Sequence, residues 1–148
     1  MAEPLNITIR RLPQLGASVA EPLAAAITAE LMAAGWMRSG PHNWDDKVTV
    51  AIDADGHVVG LIAWRIVKWA NEAFVSLGGV AEGVRSCGVY RRLFADLVGQ
   101  LRAEHPEIAR IASGHHVDNH VSAAMHAALG RKVDSIGYVF DLGEAAHG

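Results

Sequence analysis

One cysteine, Cys87, in 148 residues excludes an intramolecular disulfide and a cysteine-rich metal knuckle. Positive charge is scarce as well. With a formal net charge of -3 the chain has no general attraction for a polyanion, so nucleic acid is not an expected partner. Basic residues cluster at Arg85 with Arg91 and Arg92, and again at Arg131 with Lys132. No apolar run approaches the roughly 18 residues of a membrane-spanning helix, and no basic-then-apolar leader opens the sequence. Neither a membrane nor export is therefore expected, and the expected location is cytoplasmic. Internal repeats, low-complexity tracts and linkers are missing too. What is present, 51% hydrophobic and 20% charged residues, is enough for one globular domain over 1–148, with a frayed tail at 143–148.

Periodicity divides this domain into elements. Ile7 and Ile9 alternate with polar residues in a strand over 6–12 that Pro13 stops. Leu23, Ile27 and Leu31 recur every four residues and predict a packing helix over 22–34, with Pro22 at its first position and Gly35 at its end. Residues 47–53 and 57–69 read as a hairpin turning at 53–56, and 73–80 adds a third antiparallel strand. Trp64 and Trp69, five positions apart, face opposite ways, so one belongs in the core and the other outside it. A long helix over 88–104 repeats Val89, Leu93, Leu97 and Leu101 on one face. A short strand over 108–113, a helix capped by Asp118 or Asn119 and ended by Gly130, and a strand over 136–142 that closes the sheet complete the chain.

Chemistry is concentrated where the strand 73–80 runs through a glycine-containing loop into the long helix. The first turn of a helix carries amide groups without intrahelical partners and a partial positive charge, which suits a diphosphate. Gly88 lets such a group approach the backbone, and Arg85, Arg91 and Arg92 add charge beside it. Earlier, Trp36, His42 and Trp44 share a loop; they either form a surface for a second substrate or close the end of the preceding helix.

The order β, α, β-β-β, α, β, α, β, with this loop after the fourth strand, resembles the GNAT superfamily of acyl-CoA-dependent N-acetyltransferases. The family's diphosphate motif, Q/R-x-x-G-x-G/A, sits in a segment like V-x-P-x-x-R-G-x-G-I-G-x-x-L, and Val80, Arg85, Gly88, Val89 and Leu93 fall in register with it. Asn119 and Gly130 match a second family element, a helix-opening asparagine followed eleven residues on by the glycine of a Leu-Gly-Phe ending. Tyr90 departs from the pattern where a second small residue is usual, so its ring must point outward or rearrange the site. Arg131 replaces the phenylalanine, and His126 stands where many members carry a proton-donating tyrosine.

The resemblance implies an α/β fold of the α+β type: a mixed, mostly antiparallel sheet of about six strands flanked by helices, with a splayed wedge after the fourth strand. It implies acetyl-CoA as co-substrate, with Gly78 and Val80 pairing to the pantetheine arm, with Arg85, Ser86, Cys87, Gly88, Val89 and Tyr90 around the diphosphate, and with Asn119 assisting. The acceptor would be a primary amine of a small molecule or peptide, met by Trp36, His42 and Trp44. His126 would return a proton to the thiolate, and His115 or His116 would take one from the amine, with Glu72 as an alternative base. Three other readings stay open: a CoA-binding module without catalysis, a GNAT-like toxin acting on charged tRNA, and a metal protein built on His115, His116, His120 and His126. The spacing disfavours the last, because His120 and His126 do not share a helical face, and no metal is expected. A homodimer is compatible with all of these.

Overall fold

The computed structural model describes residues 5–37, 44–139 and 141–145. The chain divides into two compact units, Met1–Asp118 and Asn119–Gly148.

In the first unit, strands β1 (Ile7–Leu12), β2 (Lys47–Asp53), β3 (Val58–Val67) and β4 (Glu72–Val80) pair antiparallel in sequence order, and β5 (Arg110–Ala112) lies parallel to β4 at the edge. Alternation along these strands sends side chains to two faces. Helix α2 (Val89–Glu104) packs Val89, Leu93, Leu97 and Leu101 against Ile62, Trp64 and Val75, whereas helix α1 (Glu21–Ala33) places Ala24 and Ile27 with Val50, Leu61 and Leu77. Glycines admit the closest approaches: a Cβ on Gly60 would lie 2.8 Å from Val89 Cγ1, and one on Gly79 would lie 2.9 Å from Ile27 Cδ1. Trp64 is 1% exposed and Trp69 is 89% exposed, one inside and one outside as expected, although not because both lie on one strand. Trp69 lies in a 3-10 turn (Lys68–Ala70) beyond the end of β3.

The second unit holds α3 (His120–Ala128) and α4 (Leu142–Ala145). Asn119 caps α3 by accepting the Ser122 amide at 3.1 Å. At the other end Gly130, at φ +75°, donates to Ala127 O while Arg131 N donates to His126 O, a Schellman ending that needs a left-handed residue. No strand is present among the described residues of 136–142, the stretch expected to close the sheet. Val133, Ile136, Tyr138, Val139 and Leu142 are exposed instead, and the sheet has five strands among the described residues. Alternating β-branched and aromatic residues favour a pleated ribbon only when a neighbouring strand takes up their backbone groups. Strand β5 is likewise shorter than the expected 108–113.

The hairpin turn between β2 and β3 is held by Asp53, whose Oδ1 accepts the amides of Asp55 and His57, both at 2.9 Å. The His57 amide, followed by other hydrogen bonds and the nearby imidazole, holds this carboxyl below its ordinary 3.8. A carboxyl depressed on folding contributes stability above its unfolded value and loses it as pH falls through the folded one. In acid titrations followed by circular dichroism, Asp53→Ala should therefore flatten the dependence of stability on pH below 3.8 and leave the slope near neutrality unchanged.

Candidate active site

The edge of β4 is covered only in part. Strand β5 pairs with Glu72, Ala73 and Phe74, and the Glu72 carboxylate accepts from Arg110 Nε at 3.0 Å across this closed end. Glu72 is thereby engaged in a cross-strand ion pair. Beyond Phe74 no strand pairs with the outer edge among the described residues. The Ala81 amide donates to Val59 O at 2.8 Å, so alternation turns Gly79 toward β3 and directs the amide and carbonyl groups of Gly78 and Val80 to the open edge. These are the two residues expected to meet the pantetheine arm.

That edge leads into the loop before α2. A 3-10 turn over Glu82–Val84 is followed by Ser86 at φ 64° and Gly88 at φ 78°, and Gly88 is the helix N-cap. Glycine offers no side-chain acceptor, and the first intrahelical bond runs from Arg92 N to Gly88 O, so the amides of Val89, Tyr90 and Arg91 precede it. A Cβ on Gly88 would meet no heavy atom within 4 Å. The first turn contains no acidic residue, while Arg91 and Arg92 lie exposed on it. Cations at the positive end of a helix dipole cost about 0.3–1 kcal/mol each. A bound polyanion reverses the sign of that interaction, so the loop fits a diphosphate.

Arg85 is directed elsewhere: its Nη2 donates to Glu30 Oε2 of α1 at 2.6 Å. Cys87 is exposed, with Sγ 3.7 Å from Arg85 O. Tyr90 turns inward rather than outward. A Cβ on Gly78 would lie 2.6 Å from Tyr90 Oη and 2.7 Å from Cε2, so the ring covers Gly78. Gly78 and Tyr90 fit one another, a large residue over a missing side chain.

Trp36, at the end of α1, stacks on His116 with ring centroids 6.3 Å apart and planes 17° from parallel. Trp44 is anchored through its carbonyl, which accepts the Gly16 amide at 2.8 Å, and its ring is partly exposed. His42 lies outside the described residues. The two neighbouring histidines differ in tautomer. His115 Nδ1 is 2.8 Å from the His116 carbonyl oxygen, and because a carbonyl only accepts, Nδ1 holds the proton and the basic lone pair of the neutral ring is on Nε2. His116 Nδ1 instead accepts the Asp118 amide at 3.1 Å, which leaves its neutral ring protonated on Nε2. The neutral rings therefore carry their lone pairs on different nitrogens, Nε2 in His115 and Nδ1 in His116.

In the second unit His126 Nδ1 accepts from Arg131 Nη1 at 2.8 Å. A guanidinium is always the donor, so Nδ1 is unprotonated in this arrangement. Among the described residues the group with metal-ligand spacing is Asp53, Asp55 and His57, already accounted for by the hairpin turn. Sequence reasoning passed over Asp46, a buried carboxylate just before β2. Its signal was the charged pair Asp45 and Asp46 set directly against the apolar strand.

No protein-family model matches the sequence. No curated protein matches it either. Solved structures do match in fold. AAC(6')-Iy in complex with the bisubstrate analog CoA-S-monomethyl-acetylneamine is 19% identical, with a TM-score of 0.62, over 92% of this chain and 97% of that one. The aminoglycoside acetyltransferase meta-AAC0020 from an uncultured soil metagenomic sample, in complex with trehalose, is 12% identical with a TM-score of 0.67, over 92% and 96%. N-acetylglutamate synthase from Neisseria gonorrhoeae, complexed with coenzyme A and N-acetyl-glutamate, is 18% identical with a TM-score of 0.61 over 84% of this chain, which spans 28% of that protein. The fold is that of the GNAT acetyltransferases, as the sequence resemblance implies. No helix among the described residues is long and apolar enough to cross a membrane.

Proposed function

We propose that this chain is an N-acetyltransferase that moves an acetyl group from acetyl-CoA to a primary amine of a small molecule. The observation that carries the reading is the continuous surface from the open edge at Gly78 and Val80 to the uncapped start of α2 at Gly88. Paired strand-like to that edge, a pantetheine arm satisfies backbone groups that otherwise face solvent, and the diphosphate meets the amides of Val89, Tyr90 and Arg91. Acetyl-CoA supplies an acetyl group already activated as a thioester. The side chains then have two tasks, both proton transfers. His115, with its lone pair on Nε2, takes the proton that the attacking ammonium must lose; His126 is the candidate for returning one to the thiolate. Trp36 and His116 form a stacked wall suited to an acceptor.

The small-molecule acceptor is supported by the aminoglycoside enzymes of the same fold. Tyr90 favours a second reading, a CoA-binding module without turnover, because its ring fills space above Gly78. Thiol release from acetyl-CoA, measured across polyamines, aminoglycosides, amino acids and peptide N-termini, separates the two. Turnover with a small amine is the expected result. Tight acetyl-CoA binding with no thiol released in any mixture would favour the module, and no binding at all would remove both.

A further inference from the structure

Asp46 has a side chain only 4% exposed. An ionised carboxylate so placed is costly unless it is hydrogen bonded. Ser76 Oγ donates to Asp46 Oδ2 at 2.5 Å, and Arg65 Nη1 approaches the same oxygen at 3.5 Å with its guanidinium over the Phe74 ring. Ser76 is also the extra residue of β4. Leu77 lies opposite Ala63 and Val75 opposite Trp64, which leaves Ser76 without a register partner in β3, its Oγ 3.4 Å from Ala63 O, and makes it a bulge.

A bulge shifts the phase of the backbone. Before it, Ala73 and Val75 direct their amide and carbonyl groups away from β3; after it, Gly78 and Val80 do. Strand β5 leaves the sheet after Phe74, so the shift comes where the edge of β4 opens. An uninterrupted strand would turn Leu77 and Gly79 outward instead.

We infer that the hydrogen bond from Ser76 to Asp46 is a latch that holds the β4 bulge and thereby presents Gly78 and Val80 to the pantetheine arm of acetyl-CoA. Asp46 and Ser76 are positioning residues in this scheme, which rests on the acetyltransferase reading. The hydroxyl carries the effect, and the negative charge matters only through its acceptor oxygen.

Calorimetric titration of CoA into the purified protein tests this, alongside amide hydrogen exchange over β4. Ser76→Ala should weaken CoA binding at least tenfold and lose the CoA-induced protection of the Gly78 and Val80 amides. Ser76→Thr, which keeps the hydroxyl, and Asp46→Asn, which keeps an acceptor, should bind within about threefold of the parent. A residue that only adds stability would lower Tm without changing the affinity of the folded protein. Parental affinity in a folded Ser76→Ala variant would overturn the latch and leave the acetyltransferase reading standing, whereas a parent protein that binds no CoA would overturn both. Should Ser76→Ala not fold, Ser76→Cys, near-isosteric with a weak donor, takes its place: intermediate weakening supports the latch and unchanged affinity sinks it.

Discussion

Gly88→Val is expected to abolish the rise in Tm that acetyl-CoA gives the parent protein. At a hundred times its dissociation constant a ligand stabilises the folded state by about 2.7 kcal/mol, which for a chain of this size is a shift of roughly 5–10 °C. The structure separates two effects of the substitution. At φ +78° a β-branched residue is strained, costing about 1–2 kcal/mol in the absence of ligand. Its side chain then projects into the open space before the first turn of α2, where the diphosphate would lie. Differential scanning fluorimetry with and without acetyl-CoA reads both: the unliganded Tm should fall by a few degrees, and the ligand-dependent increment should vanish. An increment of parental size in the variant would take the loop out of the coenzyme site.

Much of this loop was legible because its features are local. Gly88 stands directly before a stripe of apolar residues spaced four apart, so the helix start follows from neighbouring residues. One of Trp64 and Trp69 is buried and the other exposed, as expected, but Trp69 owes its exposure to the turn beyond β3 and not to the pleat. Features that depend on distant partners were hidden. Ser76 reads as an ordinary polar position in an alternating strand, and only the register against Ala63 and Trp64 makes it a bulge. The inward turn of Tyr90 depends on Gly78, twelve residues earlier on another element. Residues 136–142 differ in the opposite sense: their composition favours a strand, but no strand is present among the described ones, and composition alone does not name the partner that a strand requires. Arg131, expected to fill the place of a packing aromatic, is brought to His126 by the left-handed turn at Gly130, a contact five residues apart that helical spacing alone does not give.

That contact shapes the test of His126 as the proton donor to the thiolate. A ring that donates a proton must first carry one on each nitrogen, and an imidazolium cannot accept the Arg131 hydrogen bond. Protonation of His126 on Nδ1 therefore requires Arg131 to move aside. If His126 is the donor, His126→Phe should lower turnover roughly 10- to 1000-fold with little change in acetyl-CoA affinity, since a lost general acid costs 10² or more and a thiolate is a forgiving leaving group. Turnover of the parent should fall on the alkaline side as the ring loses its proton, and the variant should lack that limb. Arg131→Ala should then be at least as active as the parent, because the donor that occupies Nδ1 is gone, and His126→Tyr should recover part of the rate. Steady-state rates across pH for these three variants decide the matter. Full activity in His126→Phe, with Arg131→Ala losing only stability, would assign the pair to the end of α3 and leave water to protonate the thiolate.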